Sequence, residues 1–117
     1  MLPARSAIAA LLLAALSVVA GCRREVRPPI VVEDRVVRVH NQTPQRWSNV
    51  RVWLNDHYVA ETPEIGPNGR FTVLQRDFIA AMGQKFDPSR QRPYGVLVTA
   101  SSAEGDVKLV WGKPYKQ

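Results

Sequence analysis

Residues 47–55 read WSNVRVWLN, and their spacing decides the fold class. Val50, Val52 and Leu54 recur at every second position, with Trp47, Asn49, Arg51 and Trp53 between them. Successive side chains of a strand point to opposite faces, so this pattern gives a strand with one apolar edge-on row and one mixed row. The same residues wound into a helix would be scattered around its circumference. The expected arrangement puts Val50, Val52 and Leu54 into a core and aims Trp47, Arg51 and Trp53 the other way, where they either form a contact surface or simply pack, Trp47 over the core rim and Trp53 on Arg51 or Tyr58; the reverse assignment, with both Trp inside, stays open.

Working outward, Asn55-Asp56-His57 is turn material, and Tyr58-Val59-Ala60 is a returning hairpin strand. The segment 62–69, TPEIGPNG, is dense in Pro and Gly, with a turn signal at Pro67-Asn68-Gly69. Further strands are expected over Val36–His40, over Arg70–Gln75 with Phe71 and Val73 on one side, over Tyr94–Ala100, and over Val107–Trp111. Residues 77–93 break the rhythm. Phe78, Ile79 and Met82 have helical spacing, Asp77 stands where a cap belongs and Gly83 where a helix stops. The spacing predicts a short helical crossover whose Phe78 and Phe86 plug the core.

About six to seven strands with short turns and no alternation of strand with long helix define an all-β domain. The economical arrangement is a small antiparallel β-sandwich similar to immunoglobulin or fibronectin type III domains. The immunoglobulin cysteine pair is missing, because the chain has a single Cys, so the likeness extends to architecture alone. Asn41-Gln42-Thr43 after a Val-rich strand, followed by Asn49-Val50-Arg51-Val52-Trp53-Leu54-Asn55-Asp56, also resembles the FxLYD modules of bacterial surface proteins and lipoproteins. Val52 stands in place of that motif's Phe and Asn55 in place of its Tyr. This resemblance implies a fold and no activity.

The lone Cys has its own context. Before it the chain reads MLPARSAIAALLLAALSVVAG, with one positive charge at Arg5, no acidic residue and an apolar run from about Ala7 to Ala20. At roughly 14 residues the run suits a signal-peptide core and falls short of the ~18–20 of a transmembrane helix. Val19-Ala20-Gly21-Cys22 resembles the lipobox of bacterial lipoproteins. That resemblance implies cleavage before Cys22, acylation of its thiol and new amino group, and membrane attachment. The alternative is an ordinary secreted protein with a free Cys. The expected organisation is therefore a signal peptide over 1–21, an acylated Cys and basic, Pro-containing tether over 22–34, and a β-sandwich over 35–117.

The chain carries a net charge of +6, and about +5 remains after the signal is removed. Beyond the cytoplasm a basic balance favours anionic lipid, wall polymers or acidic proteins, and not nucleic acid. Arg23, Arg24 and Arg27 crowd behind Cys22, where each can add on the order of 1 kcal/mol of attraction to an anionic leaflet. They serve equally as a solvated linker. In the lipoprotein family an Asp just after the Cys retains the protein at the inner membrane; Arg23 at that place implies the outer membrane, facing the periplasm.

Catalytic patterns do not emerge. Two histidines, His40 and His57, are too few for a metal centre of three or four ligands. A Gly-x-Ser-x-Gly elbow is missing from the sequence, and Glu61 and Glu64 border a Pro-rich turn with no sugar cleft expected around them. Asn41-Gln42-Thr43 matches a glycosylation acceptor pattern but reads more simply as a strand-end turn. The expectation is thus a non-enzymatic, cofactor-free and metal-free interaction or accessory module, with Trp47, Arg51 and Trp53 as its candidate contact face. A purely structural or assembly lipoprotein, and a carbohydrate- or wall-binding module or small hydrolase, remain open.

Overall fold

The computed structural model describes residues 27–115. Its strands are β1 (Ile30–Glu33), β2 (Val36–His40), β3 (Trp47–Leu54), β4 (Tyr58–Ile65), β5 (Arg70–Leu74), β6 (Ile79–Ala80), β7 (Gly95–Ser102) and β8 (Gly105–Gly112). They form two antiparallel sheets, one in the order β1-β2-β5 and the other in the order β6-β4-β3-β7-β8. Among the described residues there is no α-helix.

The core lies between the sheets and follows the period-two logic. Val50, Val52 and Leu54 of β3 and Val96 and Val98 of β7 are fully buried, and Val37 and Val39 of β2 meet them from the other sheet. Each such aliphatic side chain contributes roughly 1.5–3 kcal/mol on burial. Phe71 and Val73 of β5 pack against the same cluster, as their alternation requires.

One residue of β3 breaks the alternation. Against β7 the register shifts between Ser48 and Arg51, and Asn49 adopts a positive φ of 50°. This is a β-bulge, in which one extra residue reverses which way the preceding side chains point. Trp47 therefore turns inward and is only 2% exposed. Its expected place beside Arg51 and Trp53 on the outer face is corrected accordingly. Strand β4 keeps one register with β3 through the bulge, Ser48 facing Glu64 and Val50 facing Thr62, which sets Pro63, with no N–H to give, opposite Asn49.

Two boundaries also move. Ile30–Glu33, assigned from sequence to the tether, pairs with β2, and Ile30 is buried. The domain therefore begins at Pro29, whose carbonyl accepts the His40 N–H at 2.8 Å. The expected helical crossover is a three-residue 3-10 turn, Gln75–Asp77, without a side-chain cap. Phe78 is extended, and the chain folds back on itself: Phe86 N–H donates to the Phe78 carbonyl at 2.9 Å, and Gly83, at φ 84°, turns the loop. Phe78 and Phe86 do plug the core, at 0% and 1% exposure, with Phe86 meeting the Tyr58 ring edge-on at 5.3 Å. Met82, which made the pattern look helical, is 86% exposed.

Two buried asparagines fasten the loops at opposite ends of the sandwich. At the end where β3 starts, the Asn41 amide nitrogen lies 2.7 Å from the Gln45 carbonyl, 3.1 Å from that of Ile65 and 3.0 Å from that of Gly66. Its oxygen accepts the Thr43 N–H and hydroxyl. Where β3 ends, Asn55 donates to the Arg92 carbonyl at 3.0 Å and accepts the Tyr94 N–H at 2.8 Å. The Tyr94 hydroxyl, shared between the Asn55 carbonyl and Asp56, completes that end, and Tyr115 N–H donates to the same Asp56 carboxylate. Partial loss of solvent around the hydroxyl, then the hydrogen bond to Asp56 and its charge, raise the Tyr94 phenol's pKa above the usual tyrosine value, although the residue is 42% exposed.

Candidate functional site

The outer face of the five-stranded sheet is built by register. Val59 stands opposite Ile79 and Trp53, Trp53 opposite Leu97, and Leu97 opposite Val110. One apolar row, Ile79-Val59-Trp53-Leu97-Val110, thus crosses all five strands on the side away from the core. Such rows are the unit by which neighbouring strands stabilise each other. Ile79 and Val110 at its ends are 42% and 47% exposed, whereas Leu97 is 5% exposed although it stands outside the core cluster. Leu97 is therefore covered by its outer-face neighbours, and the row is a packed ridge with open ends.

Beside it runs a polar row, Glu61-Arg51-Thr99-Lys108. Arg51 Nε lies 3.2 Å from Glu61 Oε1, with both side chains 58% exposed. An ion pair this open is worth about 0–1 kcal/mol; its effect is to orient Arg51 along the sheet. Beside the bulge at Asn49 this end holds a shallow, open depression of about 920 Å³ lined by residues that include Asn49, Arg51, Glu61, Thr99, Ser101 and Lys108. The face can bury apolar surface and offer hydrogen bonds along one margin.

Of the contact residues expected from sequence, the structure brings Arg51 and Trp53 to this face and takes Trp47 into the core. Ile79, Val59, Leu97 and Val110 complete it. The signal for Leu97 and Val110 was present in VLV and LVW, where one residue in each alternating run must point outward, but which one depends on the sheet that covers them. Arg27 is exposed, and its carbonyl accepts Gln42 Nε2 at 2.7 Å. Cys22, Arg23 and Arg24 lie outside the described residues.

The other candidates separate. His40 Nε2 lies 2.8 Å from Asn68 Oδ1, while His57 sits in the β3–β4 turn. Glu64 pairs with Arg46 at 3.5 Å. Asn41 is fully buried, and its amide nitrogen is engaged as described, so folding removes it from any modifying enzyme. Among the described residues no group of three or more His, Cys, Asp or Glu side chains is placed to hold a metal ion. Among them, too, no helix is long and apolar enough to cross a membrane.

Compared with known proteins, the chain matches no family model, no curated protein and no solved structure. The lipobox and sandwich resemblances rest on the residues that carry them.

Proposed function

We propose that the protein is a bacterial envelope lipoprotein, acylated at Cys22 and held at the outer membrane facing the periplasm, whose β domain is a non-catalytic docking module. The observation that carries the docking role is the apolar row through Trp53, placed in register on the solvent side of a sheet whose other side already forms the core. Trp and Arg dominate the centres of protein contacts, and an apolar strip margined by an oriented Arg has that composition. The partner it fits is an envelope protein presenting a complementary apolar strip with an acidic or amide margin.

The strand order supports the immunoglobulin-type reading. Lettered along the chain, β1, β2 and β5 take the places of strands A, B and E, while β3, β7 and β8 take those of C, F and G, with β4 beside β3 as in the variable type. Scaffolds of this kind present sheet faces and loop ends for binding.

The test is in-cell photo-crosslinking from position 110, with the captured neighbours identified by mass spectrometry, beside the same probe at position 72 on the opposite sheet. One discrete protein captured from 110 alone, and lost in Trp53→Ala with the melting temperature kept, is the expected result. Equal capture from both positions refutes the docking face. An N-terminal peptide without acyl chains refutes the anchor independently.

A further inference from the structure

The three-stranded sheet has an outer face of different character. Its register sets Val31, Arg38 and Thr72 in one row and His40 opposite Arg70 in the next. Arg38 and Arg70 are diagonal neighbours across β2 and β5, about 7–8 Å apart by strand geometry. Among the described residues neither Arg38 nor Arg70 has an acidic partner within ion-pair distance. Among the described strand residues the one acidic side chain on this face, Glu33, stands at the far end beside Val36. By contrast, on the outer face of the five-stranded sheet Arg51 is matched by Glu61, and Asp106 lies two residues from Lys108 on β8.

The chain enters the domain at the basic end. Arg27 is tied to Gln42 just beyond β2, and Pro29 is hydrogen-bonded to His40. From Cys22 to Arg27 there are five residues, a reach of at most about 17 Å. A tether that short keeps this end of the sandwich at the surface that holds the anchor. Attraction between surface charges acts within a Debye length of about 8–10 Å.

We infer that the outer face of the β1-β2-β5 sheet, through Arg27, Arg38 and Arg70, lies against the anionic phospholipid leaflet carrying the acyl anchor, so that the row through Trp53 faces away from the membrane. The inference rests on the lipoprotein reading for the tether. Basic side chains near an anionic surface act additively, whereas the near-neutral opposite face gains nothing there. The fold thus assigns one sheet to the lipid and the other to a partner.

The experiment uses the full lipidated protein in vesicles of phosphatidylglycerol and phosphatidylethanolamine, and in vesicles of phosphatidylcholine alone. A fluorescent thiol probe is placed by Thr72→Cys or by Lys108→Cys, and quenching by headgroup-attached nitroxide is read. At least threefold stronger quenching at 72 than at 108 is expected in the anionic vesicles. The difference disappears in phosphatidylcholine and in Arg38→Glu/Arg70→Glu, whose melting temperature stays that of the parent. Equal quenching at the two positions, or a difference that survives in phosphatidylcholine, overturns the inference. Failure of the anchor reading shows separately as an intact mass without acyl chains. The same two probes, now with Cys22→Ser so that one thiol is labelled, then report on free protein mixed with anionic vesicles, where equal or absent quenching again overturns it.

Discussion

Replacing Asn41 tests how the loops at the β3-starting end are held. The side chain is fully buried, and its amide nitrogen faces the carbonyls of Gln45, Ile65 and Gly66 at 2.7–3.1 Å while its oxygen receives Thr43. Asn41→Ala removes the donor and leaves at least the buried Ile65 carbonyl without it. An abandoned buried polar group costs about 1–3 kcal/mol, and the lost bonds to Thr43 add roughly 1 more. The expected loss is thus about 2–4 kcal/mol, a large share of the 5–15 kcal/mol typical of a whole domain. At about 4–8 °C per kcal/mol for a domain this small, the midpoint falls by roughly 8–32 °C. Asn41→Asp sharpens the test, because at neutral pH it aims a carboxylate at three carbonyl oxygens and is expected to cost more than Ala. Those surroundings raise the carboxyl's folded pKa above its unfolded value of about 3.9. Stability of this variant is therefore greatest in acid and is lost as pH rises through the folded pKa. Circular dichroism melts of parent, Ala and Asp variants across pH 4–8 read all of this. A loss below about 0.5 kcal/mol for Ala, or an Asp variant equal to Ala at neutral pH, refutes the account of Asn41 as the donor that joins these loops.

Two further perturbations act at the opposite end. A Cβ on Gly95 would stand 2.5 Å from Pro114 N and 2.6 Å from its Cα, so Gly95→Ala displaces residues 113–115; the Lys113 N–H, which donates to Tyr94 O at 2.9 Å, is expected to exchange at least tenfold faster by NMR, and unchanged exchange contradicts the close packing. The Tyr94 phenol is held protonated by partial loss of solvent and by Asp56, so its contribution is present below the ordinary tyrosine value of about 10 and is lost as pH rises through the raised folded value; alkaline melts of the parent should fall more steeply than those of Tyr94→Phe, and parallel curves would contradict this.

How far the sequence reveals the fold depends on whether a feature is local. The inward row Val50, Val52 and Leu54 follows from alternation alone, and so do the half-buried Phe71 and Val73. Trp47 does not, because a single residue of left-handed backbone at Asn49 reverses the parity before it, and nothing in WSN distinguishes a bulge from a regular strand. Phe78 and Phe86 were legible as core residues through their size. The path between them was not: spacing of 78, 79 and 82 suits a helix, but pairing of Ile79 with Val59 on a neighbouring strand wins over a helix of one or two turns. Strand β1 was hidden by the preceding Pro-Pro, which reads as tether until β2 supplies its partner. The outer apolar row is non-local in the same sense, since Trp53, Leu97 and Val110 become neighbours only once three strands are in register.

The two described ends of the chain leave the sandwich at opposite poles, Arg27 beside Gln42 and Tyr115 beside Asp56. A pull applied between them runs along the strands, so it slides ladders lengthwise instead of peeling them one bond at a time. Strand β8 meets that load with eight residues along β7, whereas β1 meets it with four along β2. Under such a pull β1, with half the ladder, is expected to slip before β8, lengthening the chain ahead of β2 by its own four residues while β3, β4, β7 and β8 keep the row through Trp53 intact.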